Sequence, residues 1–189
     1  MTSRLPDLLS ADDLPWVELQ AAVLDGDLVR IGDFFATAGG FDSPRLRARA
    51  VWSVFPSGVV ASGLSAAWVW GAAPHPPSPH EAVVGHLGRR LMLVPGVDVR
   101  EIVLESTDQT SIGPLAVTTP ARTVVDLTRR ERWSDTECGV VQALIDREAV
   151  TRASCDAVLF RRSHVPHSKR SRARLDAMQF APDQPPLTR

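Results

Sequence analysis

Tyrosine is absent from this 189-residue chain, lysine occurs once, at Lys169, and cysteine twice, at Cys138 and Cys155. Two cysteines without C-x-x-C spacing point to free thiols in a reducing compartment rather than to a disulfide framework or a thiolate metal site. No apolar run approaches the ~20 residues that a bilayer-spanning helix needs. The opening segment, MTSRLPDLLSADDL, lacks a basic start followed by an apolar stretch, so no signal peptide is expected, and a cytoplasmic location is. Phosphate-loop, GxGxxG, HExxH, GxSxG and paired-carboxylate signatures are also missing. Ser62 and Ser65 have no base close in sequence, and His75, His80 and His86 lack acidic or thiol partners at ligand spacing. The chain therefore reads as non-enzymatic, with no catalytic residue, metal or cofactor.

What is present is arginine, unevenly placed. The formal net charge is -1, which gives the whole molecule no drive towards nucleic acid or anionic membrane. Residues 1–40 carry seven acids against Arg4 and Arg30, a net of -5, whereas residues 151–189 carry eight bases against three acids, a net of +5. The back end is thus the electrostatic footprint for a polyanion: Arg161, Arg162, Lys169, Arg170, Arg172 and Arg174, with Arg45 and Arg49 as further phosphate contacts. The same residues read equally as a solvated chain end.

Local signals divide the chain. Ser10 with Asp13 has capping-box spacing, and Pro15 opens a helix through Leu24. Leu28–Ile31 and Phe34-Phe35 then read as a hairpin turning at Gly32-Asp33. Ser43-Pro44 starts a second helix, and Ser62 a short one, Gly63 to Trp70, with so little polar surface that it belongs in a core. After the proline-rich APHPPSP, strands are expected over 81–87, 91–94, 97–104, 109–112 and 115–118, joined by hairpin-length turns. Ser134 with Glu137 caps a further helix, and another lies near 152–161. The segment from Ser163 onwards is basic and then proline-rich, a composition that predicts little fixed structure.

One junction stands out. In LAVTTPARTVVDL, from Leu115 to Leu127, a strand runs into a helix with Thr119 as N-cap and Pro120 at the first position, where its missing N–H costs nothing. Arg122 and Asp126 fall four apart on one face, and such a pair normally braces a helix surface. Their expected role is structural.

Two segments carry a resemblance. ASGLSAAWVWGA, at 61–72, and GPLAVTTPARTVVDLTRR, from Gly113, resemble the AbiEi-type antitoxin-like proteins of actinobacteria, whose usual pattern is a winged-helix start, a "SHRSAAxLWG" helix and a "GxPVTTPARTLVDL" strand and helix. Gly63 stands where that pattern has histidine, and the helix from Pro15 to Leu24 offers no lysine or arginine. The resemblance implies an α/β (α+β) fold: a degenerate winged helix over 1–40 packed on a small mixed or antiparallel sheet with flanking helices over 41–160, then a basic tail over 161–189. It also implies a non-catalytic DNA-binding regulator of antitoxin type, with Gln20 reading bases in duplex DNA of its own promoter and a nucleotidyltransferase-like toxin as protein partner. Larger relatives append a nuclease-like domain beyond the basic segment. The alternative is a protein-interaction module that keeps the scaffold without binding DNA, and no membrane partner is expected.

Overall fold

The computed structural model describes residues 8–38, 42–85, 94–161 and 166–180. The fold is α/β, a mixed sheet with helices around it. Helix α1 (Trp16–Leu24) leads into strands β1 (Leu28–Ile31) and β2 (Phe34–Thr37), paired antiparallel with Ile31 opposite Phe34. Ser10 and Asp13 do bond to each other, Asp13 Oδ2 accepting from the Ser10 N–H at 2.8 Å, but in a turn ahead of the helix. The hairpin has two buried sides: Leu28 and Phe35 join Leu9 and Leu19 in a small cluster, while Ile31 and Ala36 enter the main core.

Helix α2 (Pro44–Val54) begins as its residues require, with Pro44 in the first turn and the Ser43 hydroxyl accepting from the Leu46 N–H at 3.3 Å. Strand β3 (Val60–Ala61) passes directly into α3 (Gly63–Val69), and β4 (His80–Val84), β5 (Val97–Glu101), β6 (Gln109–Ile112) and β7 (Leu115–Thr118) complete a sheet ordered β5-β4-β3-β7-β6. Of the expected strands, 91–94 falls largely outside the described residues. Hairpin-length turns predict antiparallel neighbours, and β6 with β7 obeys, whereas β4 and β5 run parallel.

Helix α3 lies in the core as expected, with Ala66, Ala67, Trp68 and Val69 buried. The neighbouring Trp70 indole is satisfied by donating to the Thr118 carbonyl at 3.0 Å. Then come α4 (Pro120–Thr128), α5 (Asp135–Arg147) and α6 (Arg152–Arg161). The Thr119 hydroxyl caps α4, and Ser134 and Glu137 form the full capping box of α5. Within the segment expected to lack structure, residues 168–176 form α7 (Ser168–Asp176), which packs on α4. Leu175 and Ser171, one turn apart, are fully buried there, and the Ser171 hydroxyl meets that of Thr128 at 2.7 Å. Average composition misses such a helix because two or three inward residues suffice to hold it. Among the described residues, no helix is long and apolar enough to cross a membrane.

Candidate functional site

The strand-to-helix junction places the side chain of Arg122 inside the protein, with no exposed surface. Its Nε donates to Asp126 Oδ2 at 2.7 Å, the pairing that the four-residue spacing predicts. Its Nη1 donates to Asp108 Oδ2 at 2.5 Å, and Asp108 is itself buried at the end of the short 3-10 turn Ser106–Asp108. Arg161, at the end of α6, reaches the other oxygen of Asp108 at 2.8 Å and lies 3.4 Å from Glu105. Burial pushes the Asp108 carboxyl up, but the hydrogen bond from Arg161 and the charge of Arg122 outweigh it and hold the group below its ordinary value. One donor remains: Nη2 of Arg122 is buried and has no hydrogen-bond partner.

Beside this cluster opens a pocket of about 250 Å³, bounded by the start of α3, the end of β5 and the last turn of α4. Its lining includes Arg100, Arg122, Arg129, Arg130 and His167, with Asp126 as its acid and Ser62 at the mouth of α3. The Ser62 hydroxyl is not used as a cap. Arg130 is ion-paired to Glu81, whose Oε2 also accepts from the Leu64 N–H at 2.9 Å. That pair explains Gly63: its φ is +54°, and an added Cβ would fall 1.9 Å from Glu81 Oε2 and 2.4 Å from Arg130 Nη2. Arg129 lies 3.9 Å from Asp126 and donates from Nη2 to the Pro166 carbonyl at 2.8 Å. Burial, with the charge of Arg122 assisting, makes Arg129 easier to deprotonate than usual.

The residues expected to meet DNA fare differently from one another. Gln20 is half-buried on α1, Arg45 is exposed and Arg49 half-buried on α2. Arg47 between them is held by Asp42 at 2.5 Å and by the Trp68 carbonyl at 2.8 Å. Arg161 is committed to Asp108 and Glu105, and Arg162 lies outside the described residues. On α7, Lys169 and Arg172 are exposed. Arg170 and Arg174 turn to α4: Arg174 Nη1 donates to the carbonyls of Thr128 and Arg130 at 2.9 and 2.6 Å, and its guanidinium sits 4.6 Å from the Trp133 ring. Arg170 donates to the Arg130 carbonyl at 3.4 Å. Arg174 is therefore a C-terminal cap for α4, placed where the helix dipole favours a cation.

Among the remaining polar groups, His80 shares a 3.1 Å hydrogen bond with Ser65, and burial lowers its pKa. Both cysteines are free; burial pushes the Cys155 thiol up to about 12, so it serves as an inert apolar filler. The local spacing points to Arg122 and Asp126 but not to Asp108 or the pocket, and Arg161, expected to contact nucleic acid, pairs inside the protein with Asp108 and Glu105, because these partners lie far apart in the chain. Glycine at the head of an alanine-rich helix was the available signal, marking a close approach.

No protein-family model and no curated protein sequence matches the chain, so the function must be read from the chemistry of its own surfaces.

Proposed function

We propose that the chain is a non-catalytic protein of antitoxin type that works by docking its N-terminal helix on a protein partner. The observation that carries this reading is α1, where Val17 and Leu24 are 76% and 88% exposed. With the exposed Ala21 they sit at i, i+4 and i+7, one continuous stripe on a helix whose only buried residue is Leu19. Trp16, 47% exposed, precedes Val17 and has the Arg30 guanidinium 5.7 Å from its ring, and the exposed Asp12, Asp13, Glu18, Asp25 and Asp27 lie on the helix or within a few residues of its ends. An exposed apolar stripe on a predominantly acidic segment disfavours phosphate and fits a protein surface that is apolar at its centre and basic at its rim. In keeping with the family resemblance, the partner proposed is a nucleotidyltransferase-like toxin.

The second reading, a regulator bound to its own promoter, is favoured by the exposure of Arg45, Lys169 and Arg172. One pair of measurements separates the two. Binding to the toxin-like product of an adjacent gene is expected to weaken by more than about tenfold in a Val17→Glu, Leu24→Glu variant, because each side chain buries worth about 1.5–3 kcal/mol on docking. A gel shift with the upstream DNA, scanned over salt, is expected to show no specific complex. Promoter binding that falls steeply with salt and is lost in Lys169→Gln, Arg172→Gln would overturn the docking reading in favour of DNA.

A further inference from the structure

We propose that the arginine-lined pocket beside α4 binds a phosphoryl group, as free phosphate or as the ester of a small molecule. Four guanidinium groups, those of Arg100, Arg122, Arg129 and Arg130, share its wall with His167 and, among the described residues, a single acid, Asp126. Each arginine is anchored by a carboxylate, and only one of those carboxylates lines the pocket: Asp98 lies 3.6 Å from Arg100, Asp108 holds Arg122, Glu81 holds Arg130, and Asp126 serves Arg122 and Arg129. These carboxylates hold the guanidinium groups at the wall and balance their charge, four acids against four arginines, so what the pocket offers is a set of placed donors. Fixed guanidinium forks are the donor arrangement that matches phosphate oxygens.

The second observation is the orphan donor. Nη2 of Arg122, on a side chain with no exposed surface, has no partner among the protein's own atoms. An unpaired charged donor in the interior is costly, and because Arg122 lines the pocket a phosphoryl oxygen bound there would satisfy it. Ser62 adds a hydroxyl not engaged in capping α3. A lone carboxylate ligand would bring one charge and two oxygens against this wall. A phosphoryl group brings three oxygens, the better match to a wall with several arginine donors. The volume, about 250 Å³, lies under the usual range for drug-sized ligands and suits a compact ester or the ion itself. This inference stands apart from the docking of α1, since the two surfaces share no residue.

The test is calorimetric titration of the full chain at fixed ionic strength with inorganic phosphate, with a nucleoside 5′-monophosphate and with the parent nucleoside. The nucleoside is expected not to bind, and at least one phosphoryl probe is expected to bind at millimolar concentration or tighter; which one binds tells free ion from ester. Arg129→Gln and Arg100→Gln, both outside the Asp108 cluster, are expected to weaken that binding by about tenfold each, while Arg45→Gln leaves it unchanged. Thermal melts of the variants confirm that they remain folded. Binding of neither phosphoryl probe, equal binding of the nucleoside, or wild-type affinity in both pocket variants would overturn the proposal.

Discussion

Helices α1 and α4 are each nine residues long, and they distribute polarity in opposite ways. In α4 a charged residue and two threonines, Arg122, Thr123 and Thr128, are buried along with Val124, Val125 and Leu127. In α1 the valine and leucine of the outer stripe are in solvent and one leucine alone is buried. Neither arrangement follows from burying apolar surface, and departures of this kind are the informative ones. A charge is kept in the interior only when it is paired, and an apolar stripe stays outside when something is to cover it. Helix α4 thus carries a fixed internal network, and α1 an unfinished surface.

The network can be broken at its hub. Asp108→Ala leaves the buried guanidinium of Arg122 with Asp126 as its remaining acid and Arg161 with Glu105 as its partner, and the loss expected in a denaturant melt is about 3–5 kcal/mol. Replacing Arg122 by Met in the same chain is expected to recover part of it, because the uncompensated charge goes too. The acid limb of stability reports the same contact. Since the folded Asp108 carboxyl titrates below its unfolded value near 3.9, its contribution is complete above that pH and disappears as pH falls through the lower folded value. In Asp108→Asn the fall in unfolding free energy below about pH 4 is expected to be shallower. An unchanged slope would remove Asp108 from the centre of the cluster.

The α4 junction was half legible in the sequence. Thr119, Pro120 and the Arg122–Asp126 spacing are local signals, and each produced the contact that its spacing implies. Asp108 stands 14 residues from Arg122 and Arg161 stands 39, and the two arginines share that carboxylate only because β6, β7 and α6 converge, which no periodicity encodes. The caps of α2 and α5 and the hairpin of β1 and β2 were legible for the same local reason. The parallel pairing of β4 and β5 was not, since turn residues between strands say where the chain bends and not which side it returns on. Helix α7 was hidden by its own basicity, though the four-residue interval from Ser171 to Leu175 was in plain view.

A smaller change sharpens the contrast at the end of α4. Arg174→Gln removes the donors to the Thr128 and Arg130 carbonyls and the guanidinium over Trp133. Capping of this kind contributes about 0.3–1 kcal/mol, and the ring contact about as much again, so a total loss near 1–2 kcal/mol is expected by thermal melt. Were Arg174 a phosphate contact instead, the melt would be unchanged and DNA binding alone would suffer.

The smallest effect on stability is expected where the proposed function lies. Val17 and Leu24 make so little internal contact that Val17→Glu with Leu24→Glu should shift unfolding by no more than about 0.5 kcal/mol, the range for surface substitutions. Leu19→Ala, on the inner face of the same helix, should cost about 2–5 kcal/mol, because it empties a site that is fully buried against Phe35 and Leu28. The pair of measurements therefore splits one helix into an inner face that holds the fold and an outer face that does not. If the double glutamate variant melted as early as Leu19→Ala, the stripe would be part of the core, α1 would resemble α4 after all, and the surface offered to a partner would have to be sought elsewhere.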